Sequence, residues 1–244
     1  MKPEIMTRLK TNSWLRWGFW ISIAFLVMLY FSIFFTSGTY FDGYFLKRTV
    51  QDQQTTYSAQ TYQGDLIIEV NKLSNQEIRV HYNLAKQVKQ TYLVNLIQKN
   101  RDGEWRLNIL DVQGHLLFDG YYNDYLPFLI DKNGDFVFDL NIIGDSIKYD
   151  HTYKIMLSNV ASFATFSNTT IKGNPLMFIM GALLLMISLI EVKFPLFFFK
   201  CKTFLVSDNA TPSDLYIKMQ SLSWKIGLVI SLVFFLLAIS GIQM

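Results

Sequence analysis

Residues 17–35, WGFWISIAFLVMLYFSIFF, carry no charged side chain. As a helix this run is about 28 Å long, close to the roughly 30 Å hydrocarbon core of a bilayer. In lipid the backbone must satisfy its own hydrogen bonds, so such a run crosses as a helix or not at all. It exceeds the roughly 7–15 apolar residues of a cleaved secretory signal, and no small-residue cleavage site follows, so it reads as an uncleaved signal anchor.

Two further runs repeat the pattern. One opens at Pro175 and continues as LMFIMGALLLMISLI to Ile190, before Glu191. The other is IGLVISLVFFLLAISGI, residues 226–242, with Trp224 and Lys225 at its start as interface anchors. A chain that is 51% hydrophobic with 21 Phe is apolar because of these blocks. The expected fold class is a membrane protein of three transmembrane helices, N-terminus in and C-terminus out, with an extracytoplasmic all-β, sandwich-like domain between helices one and two.

The division follows from composition. Residues 1–16 form a basic tail, 17–36 the first span, 37–173 the β-domain with a stalk, 174–192 the second span, 193–223 an amphipathic elbow and 224–242 the third span. Short loops rich in Lys and Arg stay in the cytoplasm. The tail has Lys2, Arg8, Lys10 and Arg16 against Glu4, and the elbow region has Lys193, Lys200, Lys202, Lys218 and Lys225 against Glu191, Asp208 and Asp214. Residues 37–173 hold 13 basic and 15 acidic side chains, and their length exempts them from the short-loop rule. They are expected outside, in a plasma or inner membrane.

The elbow begins with ISLIEVKFPLFFFKCK. Glu191 and Lys193 mark the exit of span two, where long charged side chains reach the headgroups. Phe194, Phe198, Cys201 and Leu205 follow at i, i+4, i+7 and i+11, with Lys193 and Lys200 on another face. That spacing fits an interfacial amphipathic helix over anionic lipid headgroups. The alternative is a longer, tilted second span ending at residue 199. Thr211, Pro212 and Asp214 read as a helix start. Leu215, Met219, Leu222 and Ile226 then recur helically, so this helix is expected to run into span three. Glu191, Lys193, Phe194, Phe198, Lys200, Leu215 and Met219 are therefore the candidate interaction residues. Gly181 and Ala182 permit close helix contact, and Ser188 and Ser231 are the strongly polar residues well inside spans two and three.

Between the spans, short strands alternate with turn residues. Strands are expected at 65–70, 77–82, 91–98, 105–110, 115–118, 135–140 and 153–157. Asp102-Gly103, Gln113-Gly114 and Asn133-Gly134 supply turns. Residues 82–98 also permit a short helix, and residues 37–63 read as a stalk or first strand. Seven short strands suggest a two-sheet sandwich. From Trp105 to Asn159 the rhythm of strands and turns resembles the lumenal β-sandwich of membrane-anchored cargo-receptor subunits. That likeness implies a sandwich and assigns no function.

The string DKNGDFVFD places Asp131, Asn133, Asp135 and Asp139 at oxygen-ligand spacing for calcium. The glycine is fourth rather than sixth, and Ile142 stands where the calcium loop has glutamate, so a β-turn explains the same letters. His81, His115 and His151 have no zinc spacing. No nucleophile elbow or phosphate-binding glycine loop occurs, and the sole cysteine, Cys201, excludes an intrachain disulfide. A net charge of +3 without a concentrated basic face argues against nucleic acid. No cofactor is expected. The expected function is a non-catalytic accessory or structural subunit that meets other membrane subunits through its β-domain and hairpin. The alternatives are a membrane-anchored sensor or ligand-binding receptor, then a membrane enzyme acting on lipid or envelope substrate.

Overall fold

The structure, a computed structural model, describes residues 13–85, 88–125, 128–137, 149, 153–204 and 212–241. The chain divides into two units, residues 37–171 and residues 1–36 with 172–244.

The first unit is built on strands β1 (Ser37–Phe41), β2 (Tyr44–Gln51), β3 (Gln54–Thr61), β4 (Gly64–Lys72), β5 (Glu77–Leu84), β6 (Val88–Lys99), β7 (Glu104–Leu110), β8 (Leu116–Asn123), β9 (Leu129–Asp131), β10 (Phe136–Val137) and β11 (Thr170–Ile171). All join one antiparallel sheet in the order β10-β9-β8-β7-β6-β5-β4-β3-β2-β1-β11. Short turns keep each strand beside its predecessor. At the first of them Asp42 and Gly43 both have positive φ, 52° and 83°, the geometry for which Asp-Gly is selected in a two-residue hairpin.

Two expectations need correction here. The first ten strands form one continuous meander in a single sheet rather than two sheets, because short turns set each beside its predecessor; the connection after β10 then crosses the sheet and returns β11 to the far edge beside β1. Residues 37–63, expected as a stalk or first strand, supply three whole strands, β1, β2 and β3. The ambiguous tract 82–98 supplies the end of β5 and most of β6 rather than a helix.

Period-two alternation fixes which face is dry. Leu66, Ile68 and Val70 of β4 stand opposite Leu84, Tyr82 and Val80 of β5, and all six are essentially inaccessible. Leu96 and Val94 meet Leu107 and Ile109 in the same way. This face is covered by a helix, α2 (Leu157–Thr165), which lies against β5, β6, β7 and β8. Its Phe163 ring meets those of Tyr57, Tyr82 and Phe41 at centroid distances of 5.1, 5.9 and 6.0 Å. Of residues 153–157, expected as a strand, 153–156 are coil and Leu157 opens α2. The alternation there is real, since Tyr153 and Ile155 are both buried, but the segment pairs with no strand.

The Asp42 turn anchors this segment. Tyr153 Oη donates to Asp42 Oδ2 at 2.5 Å, and the Tyr149 ring packs edge-on against that of Tyr153 at 5.1 Å. Burial, reinforced by the Asp42 carboxylate, pushes both phenols well above the ordinary tyrosine value.

In the second unit, α1 (Ser13–Phe34), α3 (Pro175–Lys193) and α5 (Asp214–Ser240) are long and apolar enough to cross a membrane, which marks an integral membrane protein. A shorter helix, α4 (Phe197–Phe204), lies between α3 and α5. The helices α3 and α5 pair along most of α3 through a seam of small and polar residues. Asn174 N–H donates to Ala238 O at 2.8 Å, and Ser231 Oγ to Gly181 O at 2.8 Å. Ser188 packs on Gly227, where an added Cβ would sit 2.3 Å from Ser188 Oγ. Gln220 Nε2 donates to Pro195 O. Positions 174, 181, 188 and 195 are seven apart, and 238, 231, 227 and 220 step by seven, four and seven. This is the heptad rhythm of a two-helix seam, here running antiparallel. Apolar side chains gain little by meeting one another in lipid, so close backbone approach and interhelical hydrogen bonds drive this pairing.

At the other end from the elbow, Tyr30 and Phe34 of α1 pack with Phe178 and Phe235, and Tyr30 Oη donates to Phe235 O at 3.2 Å. Gly173 N–H donates to Phe34 O at 2.8 Å. The C-terminal ends of α1 and α5 and the N-terminal end of α3 are therefore level.

The raised phenols of Tyr149 and Tyr153 bear on alkaline stability. A phenol held neutral in the folded state contributes its full stabilisation below the ordinary value near 10, and loses it as pH rises above that. Phenolate absorbance of the full chain in detergent is expected to show exposed tyrosines titrating near pH 10. Tyr149 and Tyr153 then ionise only with loss of β-sheet signal. In Tyr153→Phe, which removes a hydrogen bond to a carboxylate, the chain is expected to lose about 1–3 kcal/mol at neutral pH.

Candidate interaction site

A helix that stops inside or beside lipid exposes its last carbonyls. The α3 helix stops at Lys193 because Pro195 cannot continue the hydrogen-bond ladder. Phe194, at φ −129° and ψ 74°, turns the chain out of the helix, and α4 begins two residues after the proline. This is a break between two helices rather than one long span reaching residue 199. The carbonyl released at Pro195 is taken by Gln220, a buried amide on α5. A second tie is the Phe199 ring against Tyr216 at 5.2 Å.

The helix carrying Gln220 starts two residues later than expected. Thr211 lies outside the described residues, and the cap is Ser213, whose Oγ accepts from Tyr216 N–H at 3.2 Å. From Asp214 the helix runs without interruption to Ser240.

The break and its cross-tie leave a groove of about 360 Å³ between the end of α3 and the start of α5. Glu191, Pro195, Leu196, Ile217, Gln220 and Trp224 line it, with Val192 and Ser221 at its margin. Of the seven expected interaction residues, Glu191 alone lines this groove. Lys193 is exposed, with Nζ 5.5 Å from the centroid of the Phe194 ring. Phe194 is exposed too, and Phe198 packs edge-on against Phe197 at 5.2 Å. Lys200 belongs to α4, but its side chain lies outside the described residues. Leu215 and Met219 are 70% and 60% exposed. With Leu222 and Ile226, also exposed, they form a stripe on the side of α5 opposite Ile217, Gln220, Ser221 and Trp224, as the 100° step per residue requires.

Gln220 was missed by motif reading, and Trp224, read as an interface anchor, proves also to line the groove. The signal for Gln220 was its position seven residues before Gly227, in step with the small residues of the seam.

The calcium candidate takes a different form. Asp131 ends β9, and its Oδ1 accepts from the N–H groups of Asn133 and Asp135 at 2.8 and 2.9 Å. Asn133 Nδ2 donates to Oδ2 at 3.1 Å. These bonds, the Asp135 N–H first, hold the Asp131 carboxyl below its usual range. The string thus builds the β9–β10 turn. Asp139 lies outside the described residues. Among the described residues no group of three His, Cys, Asp or Glu side chains is placed to hold a metal ion.

The sheet's other face carries a second groove of about 510 Å³, bordered by Glu69, Arg79, His81, Thr91 and Asp111. Register explains it: Glu69, His81 and Thr91 are neighbours across β4, β5 and β6. The His81 Nδ1 and Thr91 Oγ1 atoms are 2.7 Å apart. Asp111 accepts from the backbone N–H of His115 at 2.8 Å, and its Oδ2 lies 2.9 Å from His115 Nδ1. No protein-family model, curated protein or solved structure matches the chain.

Gln220→Leu is expected to leave the Pro195 carbonyl without its donor and to cost about 1–3 kcal/mol. Thermal unfolding of the full chain in detergent, with hydrogen exchange read over residues 194–199, checks this. Faster exchange there with the seam residues unchanged is the expected pattern.

Proposed function

We propose that the chain is an accessory subunit of a larger membrane assembly, with its sheet domain on the extracytoplasmic side and its elbow in the cytoplasm. The observation that carries the reading is the α5 stripe of Leu215, Met219, Leu222 and Ile226. These side chains are exposed although their helix is already paired through its other side. Leu215 and Met219 precede the charge-free run that opens at Ile226, so lipid tails are a poor cover for them. The apolar face of another subunit's helix, read at i, i+4, i+7 and i+11, is a fitting partner. The sequence motifs lend no support to catalysis, and membrane association follows from the three spans.

A second reading, a membrane-anchored receptor, is favoured by the polar groove on the sheet. Opposite charges from Glu69, Asp111 and Arg79 border it beside His81 and Thr91. Such a lining suits a small zwitterionic or hydroxyl-rich ligand.

The test is purification of the intact chain from its native membrane in mild detergent. A stable second membrane protein is expected to accompany it, and Leu215→Glu with Met219→Glu is expected to release that protein while the chain's helical signal stays unchanged. Recovery of the chain alone, from lipid particles as well as detergent, contradicts the subunit reading. A thermal shift of the chain with amino acids or sugars, abolished by Arg79→Ala, would favour the receptor.

A further inference from the structure

The elbow segment of α5 has two working faces, and only one is used by the proposal above. The other, with Ile217, Gln220, Ser221 and Trp224, closes the groove against Glu191, Val192, Pro195 and Leu196. Its walls are mostly hydrocarbon and aromatic surface. It contains one ionisable side chain, Glu191, which is half-buried.

Among the described residues no lysine or arginine nitrogen lies within 4.0 Å of that carboxylate; the two ion pairs found are elsewhere, Lys99 with Asp124 and His115 with Asp111. Lys193 is two positions along the helix, a spacing that does not bring side chains together, and its Nζ lies over the Phe194 ring. Lys225 Nζ lies 5.5 Å from the centroid of its neighbour Trp224. A carboxylate drawn out of water without a cation is costly, and a hydrogen-bonding cation relieves the cost. The groove's position selects the cation. It opens at the ends of two membrane-crossing helices, where phospholipid headgroups lie, and a tryptophan stands beside it, as at membrane interfaces.

We infer that this groove binds an aminophospholipid of the phosphatidylethanolamine class. The headgroup's primary ammonium donates hydrogen bonds to Glu191, and the uppermost methylenes of the lipid lie along Val192, Leu196, Ile217 and Trp224. A choline headgroup carries charge but no N–H donor, so it fits less well. A glycerol headgroup brings only its phosphate's negative charge toward Glu191. The inference rests on the membrane-spanning reading of α3 and α5 and is independent of any protein partner.

The full chain, delipidated in mild detergent, is offered an equimolar mixture of phosphatidylethanolamine, phosphatidylcholine and phosphatidylglycerol, and retained lipid is read by native mass spectrometry. Retention of phosphatidylethanolamine is expected to exceed that of the other two by about fivefold or more, as a charge-assisted hydrogen bond allows. Successive N-methylation of the headgroup is expected to reduce retention stepwise in the unmodified chain, which needs no variant. E191Q is expected to bring phosphatidylethanolamine down to the choline level, and I217W, which fills the groove, to lower retention of all three. Equal retention of the three lipids by the unmodified chain overturns the inference, as does a preference that survives E191Q. Photo-crosslinking from position 221 to a copurifying protein rather than to lipid also overturns it. That last result would leave the partner proposal standing.

Discussion

The seam between α3 and α5 is the constraint on which the membrane unit depends. In water two apolar helices associate because their faces leave solvent; in lipid that drive is absent, and association relies on how closely backbones approach and on which polar groups they share. Gly181 and Gly227 provide the approach, each opposite a serine of the other helix. Ser231 reaches the Gly181 carbonyl, Asn174 the Ala238 carbonyl and Gln220 the Pro195 carbonyl. Every one of these contacts places a polar group with a partner where water is scarce. Because the pairs are ordered 174 with 238 and 195 with 220, the two helices must be antiparallel.

The sheet domain solves a different problem. With no disulfide available, it has to bury enough apolar surface by pattern alone. It does so by a meander whose inward positions are Leu, Ile, Val and Tyr, closed on the covered face by a nine-residue helix. Tyr153 fastens the approach to that helix onto the Asp42 turn. The last strand, β11, returns to pair with β1, Ser37 opposite Ile171. The insertion therefore begins and ends side by side, and Lys172 N–H donating to Thr36 O continues that pairing by one step. A domain inserted between two spans needs this closure if its two connections are to reach the same membrane face.

Much of this was legible in the sequence, and the failures have physical causes. Charge-free runs announced the three spans, because length and apolarity are what a bilayer demands. Alternation at Leu66, Ile68 and Val70, or at Leu107 and Ile109, announced strands buried on one face. Residues 37–63 were read as a stalk or one strand rather than three because β2 and β3 carry Lys, Arg, Thr and Gln on a solvent-facing side, which mutes alternation, although Asp42-Gly43 was a plain hairpin signal. Residues 153–156 alternate correctly yet form no strand, since pattern reports burial and not ladder pairing. The sandwich was inferred from the number of strands, whereas the turns between them decide the topology. At the elbow, aromatic and lysine spacing located the region but chose the exposed side chains. Gln220, and the groove-facing role of Trp224, become visible only once α5 is laid against the broken end of α3.

The central claim is that the elbow and the sheet domain lie on opposite sides of one membrane. The most direct measurement uses the single native cysteine, Cys201, which is exposed on α4. Sealed, right-side-out membranes are treated with a membrane-impermeant thiol reagent before and after permeabilisation. The account predicts that the native chain labels only after permeabilisation, and that a Cys201→Ala chain carrying Gln63→Cys labels before it. Labelling of both positions from the same side would contradict the account.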